Sequence, residues 1–331
     1  MHSIRLWIDG NNMKESQRYD LIRDRQGAFK WEDKYVAAIH AVASEAPRGS
    51  RVSRINSLKV GRVLHCLSTP ERIFTKFALF NPNLIDIHEQ KMLSPVRSVH
   101  PLFGHPLSRG KELLPVCGTL AAAEIIGMKH HLILKKIDGE YRWAPYPYVG
   151  DLLLYLKGSD GSLYAVNWNV KDTEEGFCEK NRGKIKTLRS VGLDKEKMRL
   201  RTLLEERYYL SAGIRTIKMS RERIDRTLIS NIFLLYGLHE RPLDIDPRLL
   251  SDYSAELCES LTSGTPLAHV AIEYGKKWGH RDQFLTRIYQ DIWSRNLKVD
   301  MFQPIQIDRS LQFEKVDIHL VYKNYFSEAC I

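Results

Sequence analysis

The stretch Asp151-Leu152-Leu153-Leu154-Tyr155-Leu156, then Gly158-Ser159-Asp160-Gly161, then Leu163-Tyr164-Ala165-Val166-Asn167-Trp168-Asn169-Val170-Lys171 decides how this chain is read. An apolar run, a turn cluster and a second run of alternating character make the pattern of a β-hairpin. Successive side chains of a strand point to opposite faces, so Tyr164, Val166, Trp168 and Val170 share one face. Asn167, Asn169 and Lys171 share the other. A hairpin symmetric about Asp160 sets Asp151 opposite Asn169, within about 5 Å across the pair. An acid, an amide and a lysine then converge. Hydrolysis of a phosphodiester needs an activated water and compensation of negative charge. Carboxylates that hold Mg²⁺ supply both, and a lysine beside them orients the water or steadies the developing charge. The spacing points to a metal-dependent nuclease; a half-exposed strand without catalysis gives the same alternation.

The chain has 331 residues, 43% of them hydrophobic, which is enough for a real core and two domains. Its 50 Lys and Arg exceed 40 Asp and Glu, and the resulting +10 favours a polyanionic partner such as nucleic acid. Cys66, Cys117, Cys178, Cys258 and Cys330 lie far apart, with no CxxC and no paired Cys/His spacing. Neither a zinc site nor a disulfide framework is indicated, and a reducing setting fits. With no signal peptide and no apolar run near the ~18 residues of a membrane span, a cytoplasmic protein is expected.

Residues 1–50 form a segment of unassigned role. Ile4, Leu6 and Ile8 alternate as a short strand, and residues 31–44 read as a mostly buried helix before Pro47-Arg48-Gly49-Ser50 breaks the pattern. Arg48, Arg51, Arg54, Lys59 and Arg62 follow as a basic run, readable as a solvated face or as contacts to DNA phosphates. Ser68 or Thr69 caps the next helix, Pro70 suits its first position, and Glu71 falls in the first turn, where a carboxylate complements the helix dipole. Residues 84–93 read as a strand whose Asp86, Glu89 and Gln90 either support a site or hydrogen-bond within the fold. In the proline-rich loop 94–115, His100 and His105 are metal ligands or surface residues.

A helix over 119–128, a strand over 130–134 and a hairpin turn at Asp138-Gly139 lead back to the opening stretch. Residues 173–192 read as a polar, basic, mobile loop. A helix over 194–210, a strand over 214–218 and a helix over 223–236 complete an α/β domain spanning 51–240. Arg241-Pro242 and Asp246-Pro247 mark its end. Residues 241–331 show three helical segments and a short strand or wing over 298–305, the outline of a winged-helix domain that serves DNA or protein contact.

Several short segments fall in one order: Val60-Gly61-Arg62; Ser68-x-x-Glu71-Arg72-x-Phe74; Asn81-Pro82-x-Leu84-Ile85-Asp86-Ile87-His88-Glu89-Gln90; Gly150-Asp151-Leu152-Leu153; Asn169-Val170-Lys171. With residues 121–130, Glu206-Arg207-Tyr208-Tyr209 and Asn231-Ile232, they cover residues 58–236. In that order the chain resembles the TnsA family, the endonuclease subunits of heteromeric DNA transposases. The resemblance implies a restriction-endonuclease-like fold followed by the winged-helix domain. It makes Glu71, Asp151 and Asn169 the metal ligands for Mg²⁺, or Mn²⁺ in its place, with two ions bound. Lys171 becomes the catalytic lysine. Asn169 stands where the best-known member has glutamine, itself replacing the usual acid. The implied activity is cleavage of the non-transferred strand at the 5′ ends of the element in cut-and-paste transposition. The implied partners are double-stranded DNA at the transposon ends, a DDE transposase subunit (TnsB-like) and an AAA+ regulator ATPase (TnsC-like), with no membrane. The setting is the bacterial cytoplasm, on the nucleoid when in complex. Two further readings stand beside it: a stand-alone restriction or repair nuclease, and a catalytically inactive adaptor bridging transposase and ATPase.

Overall fold

The computed structural model describes residues 13–47, 49–177 and 188–328, which form a mixed α/β protein. The chain divides into two compact units. The first takes the described residues up to Thr75, then Asn83–Arg221 and Glu328; the second takes Lys76–Pro82 and Glu222–Ser327.

In chain order the first unit holds α1 (Glu15–Gln26), β1 (Ser53–Ser57), β2 (Arg62–Cys66), the start of α2 (Thr69–Phe80), β3 (Leu84–Glu89), β4 (Met92–Leu93) and α3 (Thr119–Ile125). It continues with β5 (Leu132–Ile137), β6 (Glu140–Pro145), β7 (Tyr148–Val149), β8 (Leu152–Lys157), β9 (Leu163–Lys171), α4 (Leu188–Leu210) and β10 (Arg215–Ser220). The central sheet has the order β10-β9-β8-β3, with β10 parallel to β9 and the other pairs antiparallel. Pairing of Leu152 with Trp168 and Leu154 with Val166 gives the symmetry about Asp160 that the sequence predicts. Residues Leu152 to Leu156 of β8 are buried on both faces of the sheet, the signature of a central strand. Trp168 meets Phe74 of α2 edge-on at 6.1 Å. Leu153, Tyr155, Leu163 and Ala165 pack with Leu204, Tyr208 and Tyr209 of α4. Each such buried aliphatic side chain contributes about 1.5–3 kcal/mol over its exposed state.

The helix expected over residues 31–44 is absent: that stretch runs as turns and extended chain, and the N-terminal helix is α1 instead. Side chains and backbone from elsewhere take its hydrogen bonds. Gln26 Nε2 donates to the Val36 carbonyl, Ala38 N–H donates to the Gln90 carbonyl, His40 N–H to Glu45, and Ala41 N–H to His65 Nδ1. The strand read at Ile4, Leu6 and Ile8 lies outside the described residues, as do Arg48 and residues 178–187 of the basic loop. The end of that loop is helical, since α4 begins at Leu188.

The second unit holds the end of α2, then α5 (Arg226–Tyr236), α6 (Pro247–Ser263), α7 (Leu267–Trp278) and α8 (Arg281–Trp293). The Asp246 carboxylate accepts from the N–H groups of Arg248 and Leu249 to cap α6, and Gly264 ends it at φ 76°. Tyr253, Tyr274 and Phe284 make its aromatic centre, with ring centroids 4.8–5.3 Å apart. The strand or wing expected over 298–305 is reduced to one isolated bridge, Val299 with Phe313. Asn231 of α5 takes the backbone groups a partner strand would need: its amide donates to the carbonyls of Met301 and Gln303 and its oxygen accepts from Ile305 N–H. No helix among the described residues is long and apolar enough to cross a membrane.

Candidate active site

Asp151 sits one residue before the β8–β9 ladder begins, so its side chain closes the end of the hairpin. Its Oδ2 accepts from Val170 N–H at 2.7 Å and from Lys171 Nζ at 3.2 Å. Lys171 Nζ also donates to the Val170 carbonyl at 2.9 Å. The register therefore brings Asp151, Asn169 and Lys171 to one end of the hairpin.

Glu71 lies in the first turn of α2. Ser68 Oγ accepts from Glu71 N–H at 3.3 Å and donates to Oε1 at 2.8 Å, while Leu67 N–H donates to Oε2 at 2.9 Å. Ser68 caps the helix start, and the two bonds to the Glu71 oxygens lock the carboxylate in place. Gln90 joins it to the hairpin. Its Nε2 donates to Glu71 Oε2 at 2.8 Å and its backbone N–H to the Asp151 carbonyl at 3.0 Å. Gln90 does this at φ 52°, an uncommon conformation for a residue with a Cβ. It is held there because its own carbonyl accepts from Ala38 N–H and Gln26 Nε2. Burial, and then the charge of Asp151, push the Glu71 carboxyl up to about 7.

Asn169 is 4% exposed and its Nδ2 donates to Glu205 Oε2 at 3.0 Å. Asn167 Nδ2 donates to Glu205 Oε1 at 2.8 Å. With both amide nitrogens turned to one carboxylate, both carbonyls turn away, and Oδ1 of each is buried without a hydrogen-bond partner. Glu205, 3% exposed on α4, is the residue the sequence reading passes over. The neighbouring Glu206, which carries the motif match, instead pairs with Lys218 at 3.0 Å. A signal was present in the spacing: Thr202, Glu205 and Tyr209 fall at i, i+3 and i+7 on the buried stripe of α4. Burial pushes the Glu205 carboxyl above the usual range, against the pull of Arg201.

Other candidates have structural partners. Arg62 does not belong to a phosphate-binding run, because its guanidinium is buried. Its Nη1 donates to both oxygens of Glu89 at 2.9 and 2.8 Å, and Nη2 reaches Asp86 and the Ile87 carbonyl. His100 Nδ1 accepts from Leu102 N–H, and His105 Nδ1 from Leu107 N–H in a local turn. Arg51 and Arg54 are exposed.

Oxygen donors alone suit a hard divalent cation such as Mg²⁺ or Mn²⁺. A buried carboxyl at Glu71, raised by burial and by the charge of Asp151, together with an amide oxygen left without a partner, fits such an ion. Among the described residues no three His, Cys, Asp or Glu side chains gather as a ligand group. Here the third position carries an amide. Compared with models of known families and with curated proteins, the chain matches none.

Proposed function

We propose that the chain is a metal-dependent DNA endonuclease with a restriction-endonuclease-like first unit, acting as the cleaving subunit of a cut-and-paste transposase. The carrying observation is the meeting of Asp151 and Lys171 at the end of the hairpin, with Glu71 within reach of the Asp151 charge. Glu71, Asp151 and the Asn169 carbonyl would hold Mg²⁺ or Mn²⁺. Such an ion, when bound, lowers the pKa of a water and offsets negative charge on the phosphate. Asp151 accepts from Lys171 Nζ and so fixes where that amine points. Lys171 is then placed to donate to a phosphate oxygen as charge develops there. Gln90 keeps Glu71 in register with Asp151, and Glu205 keeps the Asn169 carbonyl facing away from α4.

The ordered motifs shared with the TnsA family support the transposition setting: transposon-end DNA, a DDE transposase and an AAA+ ATPase as partners, and the helical second unit as a winged-helix-like contact module. The test mixes the protein with the transposase encoded beside it, Mg²⁺ and end-containing DNA. Cuts confined to the 5′ ends, lost in Asp151→Ala and in Lys171→Ala, are the expected result. Cleavage that persists in both variants rules the site out, and cutting of unrelated plasmid without the partner points to a stand-alone nuclease.

A further inference from the structure

The β5–β6 hairpin presents a face that no other described residue covers. The register pairs Leu134 with Trp143 and Lys136 with Tyr141, so these four side chains share one face. Tyr141 is 71% exposed and Trp143 68%. The opposite face is anchored: Ile133 and Ala144 are buried, and Lys135 Nζ bonds Asp20 Oδ2 of α1 at 2.6 Å. Two large rings held outward on an anchored ribbon are a surface that lacks its ligand.

That face opens onto a groove of about 1210 Å³ between the hairpin and α4, lined by the rings of Trp143, Tyr146 and Tyr148, by the cations Lys129, Lys197 and Arg201, and by apolar side chains such as Leu132 and Met198. Its acids are already engaged, Glu15 with His131 at 2.6 Å and Glu196 with Arg199 at 2.7 Å. Counted together, Lys129, Lys197 and Arg201 against Glu15 and Glu196 leave the lining with one positive charge in excess. The Arg201 guanidinium sits over the Tyr148 ring at 4.4 Å, donates through Nη2 to the Val149 carbonyl at 2.9 Å, and has its Nη1 buried without a hydrogen-bond partner. The groove also adjoins the candidate active site. Arg201 is one helical turn before Glu205 on α4, and Val149 is two residues before Asp151.

Aromatic faces beside cations match one ligand chemistry: unpaired nucleotides, whose bases stack on the rings while their phosphates meet the cations. A duplex keeps its base faces covered and offers the rings nothing. An apolar peptide leaves three cations desolvated and unmatched. We propose that this groove binds a single strand of DNA beside the cleavage site, with Trp143 as the stacking platform. The location beside a cleavage site rests on the nuclease reading; the binding itself does not.

The test is fluorescence anisotropy of the full-length protein with a labelled oligothymidylate of about 15 nucleotides, a length within the range single-strand sites occupy. It is run in EDTA, with a duplex of equal length as competitor. The single strand is expected to bind more tightly than the duplex. Trp143→Ala should weaken single-strand binding by roughly 10-fold or more, with Trp143→Phe close to wild type. Trp143 is exposed, so an unchanged thermal melt accompanies either substitution. Equal binding of single strand and duplex, or a Trp143→Ala protein that binds like wild type, overturns the proposal. Because EDTA removes the metal, the two readings fail separately. Trp143-dependent binding without any cleavage activity leaves the groove standing, and cleavage with Trp143-independent binding leaves only the nuclease.

Discussion

The carboxylate of Glu205 accepts the amide of Asn169 at 3.0 Å and thereby decides which end of that side chain turns away from α4, leaving Oδ1 buried without a hydrogen-bond partner. An asparagine amide has no intrinsic preference between its two ends; a carboxylate accepts only from nitrogen. Glu205→Gln offers one carbonyl to two amide groups, so either Asn167 or Asn169 must turn over or lose its partner. The variant is expected to lose about 1–3 kcal/mol in urea denaturation, as for a buried donor left unsatisfied. Its cleavage should need more Mg²⁺ than wild type. Wild-type Mg²⁺ dependence in this variant would show that the orientation of Asn169 is not used.

Asp151→Asn separates charge from shape. The new Oδ1 still accepts from Val170 N–H, so the hairpin end keeps its closure. What disappears is the charge that helps raise Glu71 and holds Lys171. Cleavage should fall by at least about 100-fold, equivalent to about 2.7 kcal/mol of transition-state stabilisation. The thermal midpoint at neutral pH should hold or rise, because the Glu71 carboxyl no longer faces a like charge. A variant that both unfolds early and loses activity would mark Asp151 as structural.

Arg62 gives the opposite pattern. Its side chain is 6% exposed and Glu89 is fully buried beneath it. Arg62→Met leaves a buried carboxylate alone, and chemical denaturation should show a loss of about 3–5 kcal/mol. The loss should be larger at alkaline pH, where Glu89 must ionise without its partner, than in mild acid, where it is protonated. Affinity for DNA should be unchanged in whatever folded protein remains. A stable variant with weakened DNA binding would return Arg62 to the phosphate-contacting run.

What could be read in the sequence was what neighbouring residues settle between themselves. The β8–β9 register followed from alternation about Asp160, the two-residue turn at Asp138-Gly139 from its dipeptide, and the start of α6 from the boundary at Asp246-Pro247. What could not be read was settled across the chain. Residues 31–44 have helix-forming alanines, yet Gln26, Gln90 and Glu45 claim their backbone groups. α1 escaped notice because only Ile22 and Gln26 of its residues are buried, too few to mark an apolar stripe. Arg62 looked like one more basic side chain because nothing local distinguishes a buried guanidinium from a solvated one. At the site, Asp151, Asn169 and Lys171 came from local pattern. Glu71 needed a resemblance, and Glu205 needed the packing of α4.

His88 supplies a pH test away from the candidate metal ligands Glu71, Asp151 and Asn169. It is buried between Tyr35, stacked at 3.8 Å, and Tyr155, whose hydroxyl lies 2.9 Å from Nδ1, with Asp86 Oδ2 at 3.5 Å from Nε2. Burial pushes its pKa down to about 3; Asp86 pulls the other way, while Lys91 and Arg62 add to the fall. Unfolded, a histidine takes its proton near about 6.5. Between those two values the unfolded chain binds more protons, so this contribution to stability is complete above about 6.5 and is lost as the pH falls. Glu89, pushed up to about 7 by burial, works with the opposite sign, so the wild-type profile alone mixes the two. The difference between wild type and His88→Gln, which keeps Glu89, isolates the histidine. Wild type should lose about 2.3 kcal/mol relative to the variant on going from pH 6.5 to 4.5, the slope approaching about 1.36 kcal/mol per unit once the unfolded histidine is fully protonated. Urea midpoints that run parallel for the two proteins across that interval would mean that His88 is charged in the fold and that Asp86 outweighs its burial.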